Sequence, residues 1–328
     1  NYDAALISLA LKQIQAGLAI PEAEIGAVAG TVRLGMLASV FVTLLADRMG
    51  RRRLLVWTLV GFSFFTFVSA FARTPTEFVW AQILARTFIG AEVLLASVVL
   101  VEELAARDRG WGLGVLAALS SLGFGAAAVG LAFIDEIPYG WRALYFIGAF
   151  PLLIVAWLRR SLPETRRFEA HAASRAGRRG MGEFFRPIVN LVTMYPRRFA
   201  SLGLFVFTFD FVHWVTFGFL VKTMQEVHGY SAGDAALVVV VAGAIGVLGN
   251  IVAGVASDGV GRRRVMVFAL ALHPLSAWLF YNTSGSLVIA AWIGIVFAAT
   301  AIGVLLKALG GELFPTSYRS TAAGMRLV

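Results

Sequence analysis

Ionisable side chains stand inside long apolar runs of this chain: Asp3, Arg33, Arg86, Glu92 and Asp210, with His213 and His273 beside them. A run of about 20 apolar residues spans a bilayer, and a charge placed within one costs about 2.5 to 3.5 kcal/mol on insertion scales. Each of these groups therefore needs a reason to be there. Arg33 and Glu92 could form an ion pair within the first bundle, structural or functional, or Glu92 could carry a proton. Asp210 follows Asp3 by 207 residues and precedes His213 and Trp214. It marks the stretch of the second half expected to touch a solute. Phe205, Phe207, Phe209, Phe211, Trp214, Phe217 and Phe219 surround it; most suit lipid packing, while those on the Asp210 face could stack on a planar solute. His273 precedes Pro274 and reads as a satisfied histidine at a helix kink.

The elements that must position these groups are read from two basic stretches. Asp47-Arg48-Met49-Gly50-Arg51-Arg52-Arg53 is echoed by Asp258-Gly259-Val260-Gly261-Arg262-Arg263-Arg264, 211 residues later. Glu102 and Glu312 stand 210 residues apart, as do Arg109 and Arg319. One offset shared by all these landmarks means one half repeated. Duplicated helical halves are the build of secondary transporters, with the solute site between the halves near mid-membrane.

Composition agrees. With 59% hydrophobic and only 14% charged residues, the chain lies outside the soluble range of about 45 to 50% and about 25%. The fold class expected is all-α, a polytopic membrane protein with ten to eleven spans present. They are expected up to 17, then at 25–46, 54–72, 77–101, 111–134, 142–158 (kinked at Pro151), 199–221, 234–256, 265–281 and 287–309, with another starting near 321. Domains follow: a six-helix bundle over 1–158, a basic linker over 159–198, and an incomplete bundle over 199–328. The start at Asn1 and the stop at Val328 read as a fragment lacking part of helix 1 and helices 11 and 12.

The net charge of +9 is a topology signal. Arginines crowd alternate loops, while Glu22, Glu24, Glu77, Asp135, Glu136 and Glu226 populate the intervening ones. The positive-inside bias makes loops 47–53, 102–110, 159–198, 258–264 and 309–320 cytoplasmic in an inner membrane. Nucleic acid is not an expected partner. No cysteine is present, which excludes disulfides and thiolate metal sites. No Gly-Lys-Ser/Thr occurs either, which argues against ATP-driven pumping and enzyme activity.

The first basic stretch, with Thr43 ahead of it, resembles the GxxxDRxGRR loop of the major facilitator superfamily, Thr43 replacing the Gly. The second copy runs from Gly254 through Asp258 to Arg263, with Gly259 replacing the Arg. Glu102 with Arg109, and Glu312-Leu313-Phe314-Pro315 with Arg319, are similar to the E-x2-P-x3-R elements of its sugar-porter and organic-acid/proton symporter branches. Pro163-Glu164-Thr165-Arg166-Arg167 is similar to their PESPR or PET element. The resemblance implies a fold of two six-helix bundles. It also implies a cytoplasmic gate of Asp47, Arg48, Gly50, Arg51, Arg52, Glu102, Arg109, Glu164, Arg167, Asp258, Gly261, Arg262, Arg263, Glu312 and Arg319. Tyr2-Asp3 resembles the helix 1 aspartate of proton-coupled members, and Arg86-Thr87-Phe88-Ile89-Gly90 their R-x3-G. The carboxylate would then take the proton while the arginine balances its charge.

The reading is a secondary transporter moving a small organic solute, an organic acid favoured, with protons. Its proton and substrate region would comprise Asp3, Arg33, Arg86, Glu92, Asp210, His213 and Trp214. The glutamine-rich helix 7 motif of sugar porters is absent, which lowers the sugar:proton symporter alternative. A proton-driven exporter and a non-transporting solute sensor stay open. A monomer without cofactor or metal is expected, its partners being solute, protons and lipid.

Overall fold

The computed structural model describes residues 2–43, 45, 51–104, 109–159 and 192–313. Asp47, Arg48, Gly50, Glu164, Arg167 and Arg319 lie outside them, as do the side chains of Arg51, Arg52, Glu102, Arg109, Asp258 and Glu312. In chain order the helices are α1 (Tyr2–Leu9), α2 (Leu11–Gly17), α3 (Glu22–Val32), α4 (Leu34–Thr43), α5 (Arg51–Ala70), α6 (Pro75–Glu103), α7 (Arg109–Ala132) and α8 (Trp141–Arg159). After the linker come α9 (Pro196–Glu226), α10 (Ala232–Ala256), α11 (Arg262–Asn282) and α12 (Ser286–Leu313). Among the described residues, six helical stretches are long and apolar enough to cross a bilayer.

Local chemistry explains the boundaries. Thr74 caps α6 by accepting the Glu77 N–H at 3.2 Å, and Pro75 takes the first helical position, where its missing donor costs nothing. The helix thus starts ahead of the expected Glu77. Ser231 accepts the Asp234 N–H at 3.0 Å and donates to its carboxylate at 2.7 Å, which sets the start of α10.

Two expected spans are each interrupted. The first bends at Ala10, although Ala10 N–H still reaches the Leu6 carbonyl at 2.8 Å. The second breaks at Arg33, where the Arg33 N–H bonds Gly30 at 3.1 Å and Met36 N–H bonds Arg33 at 2.9 Å. These i→i−3 bonds tighten the helix there. Neither break falls at a proline or glycine. The second basic stretch, expected as a tight loop, is a five-residue π-helical turn, Ser257–Gly261, that runs into α11. Gly261 permits it with φ of +99°, a region closed to most side chains. Helices α8 and α11 run on through Pro151 and Pro274.

The chain divides into two compact units. The first holds the helices up to Ala127 and those from Ile134; the second holds the helices after Ile188 together with Ala128–Phe133. In the first unit, Leu59, Phe62, Ala85 and Ile89 form a core against Ala4, Met36, Phe65 and Phe88, which joins α5 and α6 to α1 and α4. Glycines bring α4 and α6 into contact. A methyl group at Gly35 would collide with the Ile83 carbonyl oxygen, and one at Gly90 would lie 2.7 Å from Ser39. Large apolar side chains such as Phe41, Trp57, Phe64 and Trp80 face outward, whereas Thr58, Ser63, Thr66, Ser69 and Gln82 are buried. That arrangement suits a lipid solvent, where polar side chains join helices from within.

In the second unit, Ala253, Met266, Ala269, Ala301, Ile302, Leu305 and Leu306 unite α10, α11 and α12, with Phe205 and Phe209 of α9 packed on them. Tyr281 ties α11 to α9 by donating to the Thr216 carbonyl at 2.9 Å.

Candidate polar sites in the two units

Asp3 is 1% exposed, and neither carboxylate oxygen makes a hydrogen bond. Arg86 of α6 lies within electrostatic reach, as do the side chains of Thr66 on α5 and Gln82 on α6. None of them meets the carboxylate in hydrogen-bond geometry. Arg86 instead donates from Nη2 to the Ala4 carbonyl at 3.1 Å, one residue beyond Asp3, while its Nε has no partner. Gln82 donates to Ser69 at 3.0 Å. Its Oε1, the Thr66 Oγ1 and the Tyr145 hydroxyl are also unpartnered.

A buried polar atom without a hydrogen bond costs about 1 to 3 kcal/mol. Several such atoms gather around the Asp3 carboxylate. Aromatic rings pack nearby. Phe78, Trp141 and Tyr145 meet edge to face with centroids 5.7 to 5.9 Å apart. Tyr2 donates to the Leu144 carbonyl at 3.2 Å, its ring lying against Gly148.

Of the residues singled out in sequence, the structure thus brings Asp3 and Arg86 together. Arg33, half-buried at the break between α3 and α4, lies within electrostatic reach of Arg86, so a second guanidinium joins the region. Glu92 lies further along the same helix as Arg86. Six residues after Arg86 it is turned about 120° around α6 and displaced about 9 Å along it, where it accepts a 2.9 Å hydrogen bond from Thr58 of α5.

The α9 aromatics divide between two faces. Phe207 and Phe211 stack on each other at 6.2 Å and are exposed. On the other face, Phe209, His213 and Phe217 form a column, His213 stacking at 5.6 Å on Phe209 and 5.4 Å on Phe217. Trp214 meets His213 edge to face at 5.6 Å. His213 Nδ1 lies 3.2 Å from His273 Nε2 of α11. Asp210 is half-buried one turn before His213.

Sequence reasoning missed Gln82, Thr66 and Tyr145, although Gln82 precedes Arg86 by four residues and so shares its face. It also read His273 as satisfied without finding the partner. The repeat offset held the signal, because His213 follows Asp3 by the same 210 residues that separate Glu102 from Glu312.

The chain as a whole is similar to known proteins. The Major Facilitator Superfamily matches residues 1–328. A "Probable 4-methylmuconolactone transporter" of Cupriavidus pinatubonensis is 26% identical over 99% of this chain and 76% of its own length. A gallate transporter of Pseudomonas putida is 25% identical over 100% of this chain and 78% of its own. Among solved structures, a D-xylose-proton symporter superposes with a TM-score of 0.74 at 16% identity, over 99% of this chain and 82% of that one.

Proposed function

This chain belongs to the Major Facilitator Superfamily, and from that premise we propose that it carries a small, planar organic acid together with protons, Asp3 taking the proton. That it is a polytopic membrane transporter of the metabolite type, and not an enzyme, follows from the family and its relatives. The observation behind the finer reading is the Asp3 carboxylate, buried with neither oxygen hydrogen-bonded and set beside Arg86. Such a group has two states differing by one charge. Protonated, it needs no counter-ion; ionised, it leans on Arg86. A solute carboxylate reaching the guanidinium would replace Asp3 as its partner, and a proton on Asp3 would accompany that exchange.

Charge favours an acid. Arg33 adds a second positive charge near Arg86, and charge-assisted bonds from guanidinium to carboxylate are among the strong ones. Gallate is a planar aromatic carboxylate, and a relative named for its transport supports that solute class. The basic loops around Asp47 and Asp258, cytoplasmic in an inner membrane, act in this reading as gates that hold one conformation closed and release it as the halves rock.

The test records medium pH in lightly buffered resting cells expressing the full chain, with gallate, dicarboxylates, sugars and quaternary amines added in turn. Alkalinisation with aromatic acids, lost in Asp3→Asn, is the expected result. Undiminished alkalinisation in the variant removes Asp3 from the role. Labelled solute entering with no pH change removes proton coupling altogether.

A further inference from the structure

We propose that His213 and His273 form a second proton-binding site, a joined pair of imidazoles in the second unit that takes up a single proton as one group. The geometry carries this. Nδ1 of one ring and Nε2 of the other are 3.2 Å apart, and a hydrogen bond there needs a proton on one nitrogen and a lone pair on the other. In the neutral pair each ring holds one N–H, and either ring can be the donor.

The proton balance follows from that bond. When His213 Nδ1–H donates to His273 Nε2, the remaining proton of His273 is on Nδ1 and the lone pair of His213 is on Nε2. One added proton enters at His213 Nε2, and the bond between the rings becomes charge-assisted. A second added proton has only the accepting lone pair of His273 to occupy. Two N–H groups would then face each other, and the bond would be lost. The reverse tautomer gives the same count. The pair therefore holds one proton, and that proton belongs to both rings.

The packing holds the rings in this register and gives the cation faces to rest on. His213 lies nearly parallel to Phe209, at an interplanar angle of 11°, with Phe217 stacked on it as well. His273 meets Phe209 at 5.6 Å with planes 66° apart. Aromatic faces attract a cation when water is excluded. The charged groups around the pair are few. On α9, Asp210 stands one turn before His213, and Lys222 is paired with Glu226, Lys222 lying about 13 Å further along the helix. On α11, Tyr281 is engaged with Thr216, and no Asp, Glu, Lys or Arg lies between Arg264 and Asn282. The helices packed against α11 carry none between Asp234 and Asp258 on α10, nor between Ser286 and Leu306 on α12.

The repeat supplies a further argument. His213 holds the register position of Asp3, so each half carries a proton-accepting group at the same point of its first helix. The inference deepens the proton-coupled reading in transport, but proton binding by the pair is measurable without it.

The experiment uses the full chain with nitrogen-15 histidine in lipid nanodiscs, following the imidazole nitrogens by magnetic resonance across a pH series. The chain has four histidines, so His213→Gln and His273→Gln assign the pair. The expected result is a common titration curve for both rings, corresponding to one proton taken by the two. In His273→Gln, His213 should titrate alone with a displaced midpoint. Two separate single-proton curves in the unaltered chain overturn the proposal, as does absence of proton uptake by either ring. The same curve should persist in Asp3→Asn, so failure of Asp3 in transport and failure of the pair are read separately.

Discussion

The two halves of the repeat put different chemistry at one register position. In the first unit it is Asp3, a carboxylate with no hydrogen bond, watched by Arg86 and surrounded by unpartnered polar atoms. In the second it is His213, bonded to His273 and stacked between two phenylalanines. The first arrangement leaves its carboxylate without a hydrogen bond, and the second joins its two rings by one. The difference teaches where a solute's polar end is best accommodated. A group that makes no bonds in the protein loses none when a ligand arrives, whereas a satisfied pair must break a bond first. The open polar groups thus belong to the first unit, and the joined, stacked imidazoles to the second.

The comparison predicts unequal consequences of mutation. The largest belongs to Asp3→Asn. Concentrative uptake should fall by at least about 100-fold, the lower bound typical of a positioned proton-transfer group, while solute exchange down a gradient persists. Accumulation retained in vesicles with an imposed proton gradient would break the contrast between the halves.

Next is Arg86→Ala, which removes one partner of a buried charge pair and should destabilise the protein by about 3 to 5 kcal/mol. Thermal unfolding of purified protein measures this, with Arg86→Ala/Asp3→Asn as the paired control. If the double variant is no more stable than the single, the two charges are not coupled.

Packing glycines provide a sharper comparison, because each half uses them. Gly35→Ala at the α4–α6 contact and Gly249→Ala, whose methyl would lie 2.7 Å from Thr300 Oγ1 and 3.0 Å from the Phe297 carbonyl oxygen, should each cost about 1 to 3 kcal/mol as overpacking. Gly35→Ala should also weaken solute binding, because its neighbour is Arg86. Equal losses of affinity in both variants would erase the assignment of the carboxylate to the first unit.

The smallest effect belongs to Thr58→Val. Loss of its hydrogen bond to Glu92 should cost about 0.5 to 1.5 kcal/mol and leave the proton-to-solute ratio unchanged. A changed ratio would return Glu92 to the proton pathway.

The all-helical membrane fold was legible in the sequence, because it rests on local pattern: the length of apolar runs and the basic residues between them. The sequence also singled out Asp3 and Arg86, since charges in apolar runs are conspicuous wherever they fall. Helix breaks were not legible. Arg33 and Ala10 have no chain-breaking chemistry. Partners were decided by tertiary structure alone. Thr66, Gln82 and Tyr145 come near Asp3 from α5, α6 and α8, and His273 meets His213 across 60 residues. A helix tells which residues share its face; how close two helices come, and at what height they cross, depends on glycine contacts and ring packing that no single helix encodes.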